Sequence, residues 1–472
     1  MNNDRNFWEE YDSNALVRSF EYKLQNRESF FFDVDDFALI IDYYIETTSI
    51  EMAQTALKHA LELHPETVVF KVKKAQLLAI TNQSEQALSM LASVEHIEPF
   101  NADIIRAKAN IYSHLQKFKD AIREYQKLSI EDDAEDIFSN IAYEYENMHR
   151  FEEAIFYLKK VMSINPLNDN ALYEIAYCYE ALGNIKESAD FFKAYLEENP
   201  LSSIAWFNLG VSSSRLDRYE EAIEAFDFAI ALEPDYPSAY FNKASVLCNQ
   251  GKFMEAIESY NETLNLESPE ALTFQYIGEC YEKQDENDKA IQYYFKAIEI
   301  NENLSEAWAG LASAYYETSN YDKALNFIYK AIKLNDQNAD FAILQGDICK
   351  ALEDYAQAAR AYEKAIELNS EDVEVWMDLA EVIALRDENI ESGIHILREA
   401  LSIFPDNASL LYRLSFYLIT DEKTKEGFSL LQDALYLNFN KYTEFIEMDE
   451  SLLNNPSIIE IIEQAKQIKH NS

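Results

Sequence analysis

The sequence is poor in glycine, cysteine and histidine. Its 472 residues include only 8 Gly, 4 Cys and 7 His. The glycines form no GxxxxGK or GxGxxG run, which argues against a phosphate-binding loop. Without a CxxC pair, the scattered cysteines predict neither a metal site nor a disulfide framework, and we expect buried, reduced thiols at Cys178, Cys248, Cys280 and Cys349. We predict no catalytic residues and no cofactor, and we do not expect an enzyme.

Basic residues are also scarce. The chain has 40 Lys and Arg against 85 Asp and Glu, a net charge of −45. This charge would repel phosphate backbones and anionic lipids, so we expect neither nucleic acid nor membrane as a partner. No stretch approaches ~18 consecutive apolar residues, and the first residues lack the apolar core of a signal peptide, which favours a cytoplasmic protein. The acidity either only keeps the chain soluble or also selects basic partners.

Residues 203–236 contain the clearest pattern in the chain. Their apolar residues fall at helical spacing in two blocks, joined by a short polar turn at 216–218. This pattern predicts two amphipathic helices, the second ended by Pro234. Gly210 in the first helix is expected to face Ala222 in the second, because two small residues would let the backbones approach closely.

The same pattern recurs in phase along most of the chain. At the place of Gly210 only the first unit has a large residue, Ile41, and at the place of Ala222 every unit has Ala, Ser or Gly. We place about twelve units, which begin at Val34, Val68, Ala102, Glu135, Asp169, Ser203, Pro237, Ala271, Ser305, Ala339, Val373 and Ala408.

The unit resembles the tetratricopeptide repeat (TPR), with its WxxLG, AxxxFxxA and final proline. The matching residues are Trp206, Leu209, Gly210, Ala222, Phe226, Ala229 and Pro234. The resemblance covers residues 34–441 and implies an all-α fold, a right-handed α-solenoid superhelix of about twelve helix hairpins. In composition the chain is similar to bacterial TPR scaffolds with many repeats.

Two segments do not fit the repeat. Residues 1–33 are predicted to form an N-terminal helical cap, and residues 442–472 a C-terminal capping helix segment, because an open solenoid end exposes apolar surface. The N-terminal segment could instead dock a partner, and the C-terminal helix another subunit. The apolar residues behind these predictions are Phe7, Trp8, Tyr11, Leu16, Phe20, Phe30, Phe31, Phe32, Ile458, Ile459, Ile461, Ile462 and Ile468.

The family resemblance implies that the first helix of each hairpin lines a concave groove, with its second, fifth, sixth, ninth and twelfth residues facing inward. Aromatic and amide side chains fill these places in the middle units, and acidic ones fill them towards the ends. Exposed aromatics anchor partners, and asparagine amides can pair with a peptide backbone. The predicted partner-binding residues are Asn140, Tyr143, Tyr173, Tyr177, Phe207, Asn208, Phe241, Asn242, Glu279 and Glu282.

These features predict a protein–protein interaction scaffold or adaptor. It would bind an extended or helical protein segment with basic and apolar residues. Two alternatives stay open: the aromatics only fill gaps between helices, or the chain is a structural module that assembles into homo-oligomers. The family's clamp of Lys and Arg on a C-terminal carboxylate is not expected, because the matching places are largely acidic or neutral, with basic residues such as Arg106 and Lys350 as isolated exceptions.

Overall fold

The computed structural model describes residues 15–26, 31–369 and 371–471, and every regular element within these residues is a helix. The fold is an α-solenoid of helical hairpins, in which each hairpin pairs two successive helices. The chain divides into two compact units, Met1–Glu221 and Ala222–Ser472, with the division inside one helix, Tyr219–Leu232. Each unit is described separately.

The first unit contains a short N-terminal helix and five complete hairpins, followed by the first helix of the next hairpin. Its helices are α1 (15–25), α2 (Val34–Glu46), α3 (Ile50–Leu63), α4 (Val68–Ile80), α5 (Ser84–Glu95), α6 (Ala102–His114), α7 (Phe118–Tyr125), α8 (Ile130–Asn147), α9 (Phe151–Ile164), α10 (Asp169–Leu182), α11 (Ile185–Glu198) and α12 (Ser203–Arg215). The dividing helix, Tyr219–Leu232, is α13.

The second unit contains six complete hairpins and a C-terminal segment. Its helices are α14 (Pro237–Asn249), α15 (Phe253–Leu266), α16 (Ala271–Glu282), α17 (Asn287–Ile300), α18 (Ser305–Glu317), α19 (Tyr321–Leu334), α20 (Ala339–Ala351), α21 (Tyr355–Leu368), α22 (Val373–Arg386), α23 (Ile390–Ile403), α24 (Ala408–Thr420), α25 (Thr424–Leu437), α26 (Tyr442–Met448) and α27 (Pro456–Asn471). Two 3₁₀ turns, Phe439–Lys441 and Glu450–Asn454, flank α26.

Eleven of the twelve predicted unit starts coincide with the first residue of a helix. The exception is Glu135, because α8 begins earlier, at Ile130, and has a non-helical residue, Asp133, inside it. The preceding unit is one residue short, and its second helix, α7, has only 8 residues. Several helix starts are capped by a side chain that accepts from a first-turn N–H, as Asn168 does from Ala171 at 2.8 Å.

The turn inside each hairpin contains one residue with a left-handed backbone. In the described part of the chain the residues with positive φ are Thr48, Asn82, Gln116, His149, Gly183, Asp217, Gly251, Asp285, Ser319, Glu353, Glu388 and Glu422. Their spacing follows the repeat, and only two of them are glycine. Because a side chain costs free energy in this region, the other ten turns are held in a strained conformation by the helices on either side.

Small residues lie where the helices of a hairpin meet. Every member of the column that contains Ala222 is buried, from Ala53 to Gly427, and in the column that contains Gly210 only Ala176 is partly exposed. Aromatic and branched side chains fill the space around these contacts. The packing follows the predicted register, which depended on these two columns.

The predicted N-terminal cap contains α1. Val17 and Phe20 are buried in a core cluster with Phe32 and Phe37 of the first hairpin region. Phe31 is exposed. The other four aromatics assigned to this segment, Phe7, Trp8, Tyr11 and Phe30, lie outside the described residues.

At the other end, α27 packs against the last hairpin of the second unit. Ile458 and Ile461 are buried in a cluster that includes Leu411 and Leu435. Ile459, one residue from Ile458, is exposed. The side chain of Ile468 is outside the described part of the chain.

Candidate functional site

The ten predicted groove residues all lie on the first helices of their hairpins. Six belong to the first unit, on α8, α10 and α12, and four belong to the second unit, on α14 and α16. Their exposure differs widely. Tyr143, Tyr173 and Tyr177 are exposed at 57, 46 and 54%. The other seven are half-buried or buried.

The three exposed tyrosines accompany a pair of carboxyl groups that the sequence analysis did not single out. Glu146 lies on α8, three residues after Tyr143, and Glu174 lies on α10, three residues before Tyr177. Residues three apart share one face of a helix. We call Tyr143, Glu146, Tyr173, Glu174 and Tyr177 the tyrosine–carboxylate surface.

The two carboxyl groups interact directly. The pKa of Glu146 is raised to about 7, chiefly by burial and then by the charge of Glu174 and a hydrogen bond with it, while the thiol of Cys178 donates to Glu146 and opposes this rise. Near neutral pH the pair therefore holds a proton for part of the time. Glu146 and Glu174 occupy the twelfth and sixth places of their units, which were already assigned to the groove, so the signal was present in the sequence.

A cavity of about 390 Å³ opens beside Tyr143. Its wall includes Asn140 of the predicted set and, as residues missed from sequence, Tyr125 and Glu144. The Tyr125 hydroxyl contacts the Oδ1 atoms of Asn110 at 2.6 Å and Asn140 at 3.5 Å. Apart from Phe118, the side chains that line the cavity all carry a polar group, so its walls are mostly polar.

Glu144 is the buried acid of this cavity. The residue is 1% exposed, and its Oε2 atom is buried without a hydrogen-bond partner. Burial raises its pKa, and a hydrogen bond from Ser113 and the nearby His114 oppose that rise. A buried acceptor without a donor is costly, so a ligand that supplied an N–H or O–H here would gain a hydrogen bond. We call this space the Glu144 cavity.

The three predicted asparagines use part of their hydrogen-bonding capacity within their own helices. Nδ2 donates to the carbonyl four residues earlier in each case, from Asn140 to Asp136 at 2.8 Å, from Asn208 to Ile204 at 2.9 Å and from Asn242 to Ser238 at 2.8 Å. Asn208 is also buried. Fewer amide donors are therefore available to a peptide backbone than we expected.

Phe241 in the second unit packs within the protein. Its ring lies 5.3 Å from that of Tyr260 and 5.7 Å from that of Tyr276, and it joins a core cluster of α14, α15 and α16. Phe241 therefore fits the alternative hypothesis, in which the aromatic side chains only fill gaps between helices. Phe207 in the first unit is also half-buried.

The two predicted acidic residues of α16 accept hydrogen bonds from their neighbours. Glu282 accepts from the hydroxyls of Tyr294 and Ser313, both at 2.6 Å. Glu279 accepts from Gln275 at 2.8 Å, and burial, followed by the charges of nearby acidic residues, raises its pKa. These acids are therefore integrated into the packing of α16, α17 and α18.

The basic residues in the groove positions have carboxylate partners inside the protein. Lys350 lies 2.9 Å from Glu381 and 3.3 Å from Asp378. Arg106 pairs with Asp133 and lies 3.8 Å from Asp136. A ligand carboxylate would have to compete with these acids.

Residues 15–26, 31–369 and 371–471 contain no cluster of three or more His, Cys, Asp or Glu side chains arranged to hold a metal ion. Within the same residues no helix combines the length and the apolar character needed to cross a membrane.

Family profiles match three stretches that together span about half of the chain. The tetratricopeptide repeat matches residues 271–304, 305–338 and 343–408, and a TPR repeat profile matches 215–251. A profile of the anaphase-promoting complex, cyclosome, subunit 3, matches 147–229. The chain belongs to the tetratricopeptide-repeat family. TPR folds are typically non-catalytic scaffolds that bind protein or peptide partners.

Solved TPR structures resemble this TPR protein over different lengths. The Cut9–Hcn1 hetero-tetramer of the APC/C matches at 16% identity, over 82% of this chain and 90% of that one, with a TM-score of 0.43. YrrB, described as a TPR protein with an unusual peptide-binding site, matches at 22% identity over 40% and 96%, with a TM-score of 0.34. The C-terminal part of a TPR protein from Cytophaga hutchinsonii matches at 16% identity over 54% and 99%, with a TM-score of 0.43. Comparison with curated proteins yields no match.

Proposed function

We propose that this TPR protein is an interaction scaffold that binds a partner segment with basic and apolar residues on the tyrosine–carboxylate surface of the first unit. The observation that supports this most directly is the pairing of Glu146 and Glu174 next to three exposed tyrosine rings. Exposed aromatic rings act as anchors for partners.

The carboxyl pair favours a cation over a neutral group. A lysine ammonium or arginine guanidinium of the partner would replace the proton that Glu146 shares with Glu174, and both carboxylates would then be charged and paired. The tyrosine faces would add cation–π attraction of about 0.5–1 kcal/mol each at exposed sites. Apolar residues that flank the cation in the partner would pack on the same rings.

The Glu144 cavity would extend this recognition. It lies beside Tyr143, and the unpartnered Oε2 of Glu144 would accept a hydrogen bond from a partner's N–H or O–H group. A donor side chain next to the basic residue would reach it. This step requires a small rearrangement, because the Oε2 atom is buried.

The net charge of −45 would assist the encounter. A basic segment is steered towards an acidic surface, and added salt weakens that attraction, which is largely screened beyond a Debye length of about 8 Å at physiological ionic strength.

We propose further that the partner is neither nucleic acid nor membrane and that the chain works in the cytoplasm. The bacterial origin suggested by composition stays a prediction.

The test uses the full chain and a binding peptide. Affinity capture identifies partner proteins, a peptide array of the captured protein narrows the contact to a segment, and calorimetry measures its affinity. We expect Tyr177→Ala and Glu146→Gln each to weaken binding about tenfold, in the range of a binding hot spot. Replacing the segment's basic residues by Ala or Gln should cause a similar loss.

Two matched variants control for general effects. Phe156→Ala removes a ring that is 56% exposed on the second helix α9, against 54% for Tyr177. Glu197→Gln removes one negative charge from an exposed site on α11. Both should bind as the wild type does. Equal affinity for Tyr177→Ala, Glu146→Gln and the wild type would exclude this surface as the binding site.

Static light scattering over a range of concentrations separates partner binding from self-assembly. A chain that stays monomeric while it binds the peptide supports the scaffold. Oligomers that form without the peptide and are lost in Tyr177→Ala would instead favour the structural module considered from sequence.

A further inference from the structure

Two cysteines from consecutive hairpins meet in the second unit. Cys248 lies at the end of α14 and Cys280 near the end of α16, and their Sγ atoms are 2.9 Å apart. A disulfide bond measures about 2.05 Å, so the two Sγ atoms lie about 0.9 Å farther apart than they would in the bond. Because these cysteines lie 32 positions apart in the sequence, no local motif indicates their contact.

The two thiols differ in their surroundings. Cys280 is 1% exposed, whereas Cys248 is half-buried. The sulfur contact with Cys280 and a hydrogen bond with the hydroxyl of Tyr260 lower the pKa of Cys248 against the effect of burial. The pKa of Cys280 is raised by the same sulfur contact and by burial. The carboxyl group of Glu279 disfavours the thiolate at both sites. The pair therefore consists of one more accessible, more acidic thiol and one protected thiol.

Neighbouring rings hold this arrangement in place. Tyr260 is buried, its ring stacks on Tyr276 at 5.8 Å, and Phe241 lies against both. The hydroxyl that donates to Cys248 is thus fixed by packing. A reactive cysteine next to a resolving cysteine is the usual arrangement of a peroxide-sensitive pair.

We propose that Cys248 and Cys280 form a reversible disulfide when the chain meets a peroxide, with Cys248 as the attacking thiol. The Cys248 thiolate attacks one oxygen of hydrogen peroxide and the O–O bond breaks. This gives a sulfenic acid on Cys248 and releases hydroxide. The Cys280 thiol then attacks the Cys248 sulfur, and its proton and the sulfenic hydroxyl leave as water. Two thiols are oxidised and one peroxide is reduced to water. The resulting disulfide links α14 covalently to α16. A small thiol such as dithiothreitol reverses the bond by exchange.

The experiment treats the reduced full chain with hydrogen peroxide, blocks the remaining thiols with iodoacetamide under denaturing conditions, and maps the peptides by mass spectrometry. We expect free thiols to fall from four to two and one cross-linked peptide to join Cys248 and Cys280. Cys178 and Cys349, which are fully buried in α10 and α20, should stay reduced during the peroxide treatment and therefore be alkylated by iodoacetamide. Dithiothreitol should restore all four thiols.

Single variants separate the two roles. Cys280→Ser should stop at sulfenic acid on Cys248, detected by dimedone, and Cys248→Ser should give neither dimedone labelling nor a cross-link. Circular dichroism before oxidation shows whether each variant is folded. The proposal is overturned if the wild type keeps four free thiols at peroxide levels that oxidise free cysteine, or if Cys178 and Cys349 oxidise as fast as Cys248. Cross-links between chains in place of the internal bond would overturn it as well.

Discussion

Gly346 lies directly against the ring of Tyr362, so that a Cβ added to the glycine would be 2.6 Å from Cδ1 of the tyrosine. The glycine is on α20, the tyrosine is on α21, and the Tyr362 hydroxyl donates to Asp347 at 2.6 Å. In the preceding hairpin the same two places hold Ala312 and Ile328, both fully buried. A large ring in the second helix is thus matched by a glycine in the first.

This match predicts that Gly346→Ala destabilises the second unit by about 1–3 kcal/mol, because the added methyl group overpacks a rigid contact. Denaturant unfolding followed by circular dichroism measures the change. Tyr362→Leu should reduce the cost of Gly346→Ala, since a smaller side chain leaves room for the methyl group. Strict additivity of the two changes would show that the ring does not limit the space at Gly346.

The turn residues with positive φ predict stabilising substitutions. Thr48 has φ 57°, which is costly for a β-branched side chain. We expect Thr48→Gly to raise the free energy of unfolding by about 0.5–1 kcal/mol, because glycine adopts this conformation without steric strain. Thermal unfolding tests the change. Gly183→Ala, at the same place four hairpins later with φ 69°, should have the opposite effect. A gain in both variants would rule out backbone strain as the cause.

The carboxyl pair predicts a stability that depends on pH. Folding raises the pKa of Glu146 from 4.5 to about 7, so between these values the folded chain binds more protons than the unfolded chain. The free energy of unfolding therefore falls as pH rises through this window. Glu146→Gln should remove this fall and be more stable than the wild type near pH 8 by about 1–2 kcal/mol, with little difference near pH 4. The Glu197→Gln control should keep the wild-type slope.

The same pair predicts how pH affects binding. A basic peptide gains most when both carboxylates are charged, so its affinity should rise between about pH 6 and pH 8 as Glu146 loses its proton. Calorimetry at several pH values measures this, and Glu146→Gln should flatten the profile. A profile that rises equally in the variant would locate the titrating group elsewhere.

The packing of α27 predicts different effects for two adjacent isoleucines. Ile458 is fully buried against the last hairpin, whereas Ile459 is 37% exposed. We propose that α27 caps this end of the array, and we expect Ile458→Ala to cost about 2–5 kcal/mol locally and Ile459→Ala about 1 kcal/mol or less. Hydrogen exchange of α24 to α27 measures the local loss. Equal effects would mean that α27 does not depend on this face for its position.

Much of the candidate site was visible in the sequence. The periodic small residues located the first helices, and the groove places that follow from them include the three exposed tyrosines. The carboxyl pair was missed because neither Glu146 nor Glu174 is unusual in so acidic a chain. Their interaction depends on a distance between α8 and α10, which periodicity does not specify. Glu144 was missed for the same reason, since its burial results from the cavity walls around it.

The sequence by itself determined the helix hairpins, their register and their starts, because these depend on residues close together along the chain: apolar spacing, small residues at helix contacts and prolines at helix ends. Only the tertiary structure decided which chemical groups meet. It brought Glu146 to Glu174 and Cys248 to Cys280, and it placed Phe241 within the packing while leaving Tyr177 exposed. Such contacts join side chains about thirty residues apart, and their distances depend on how neighbouring hairpins stack.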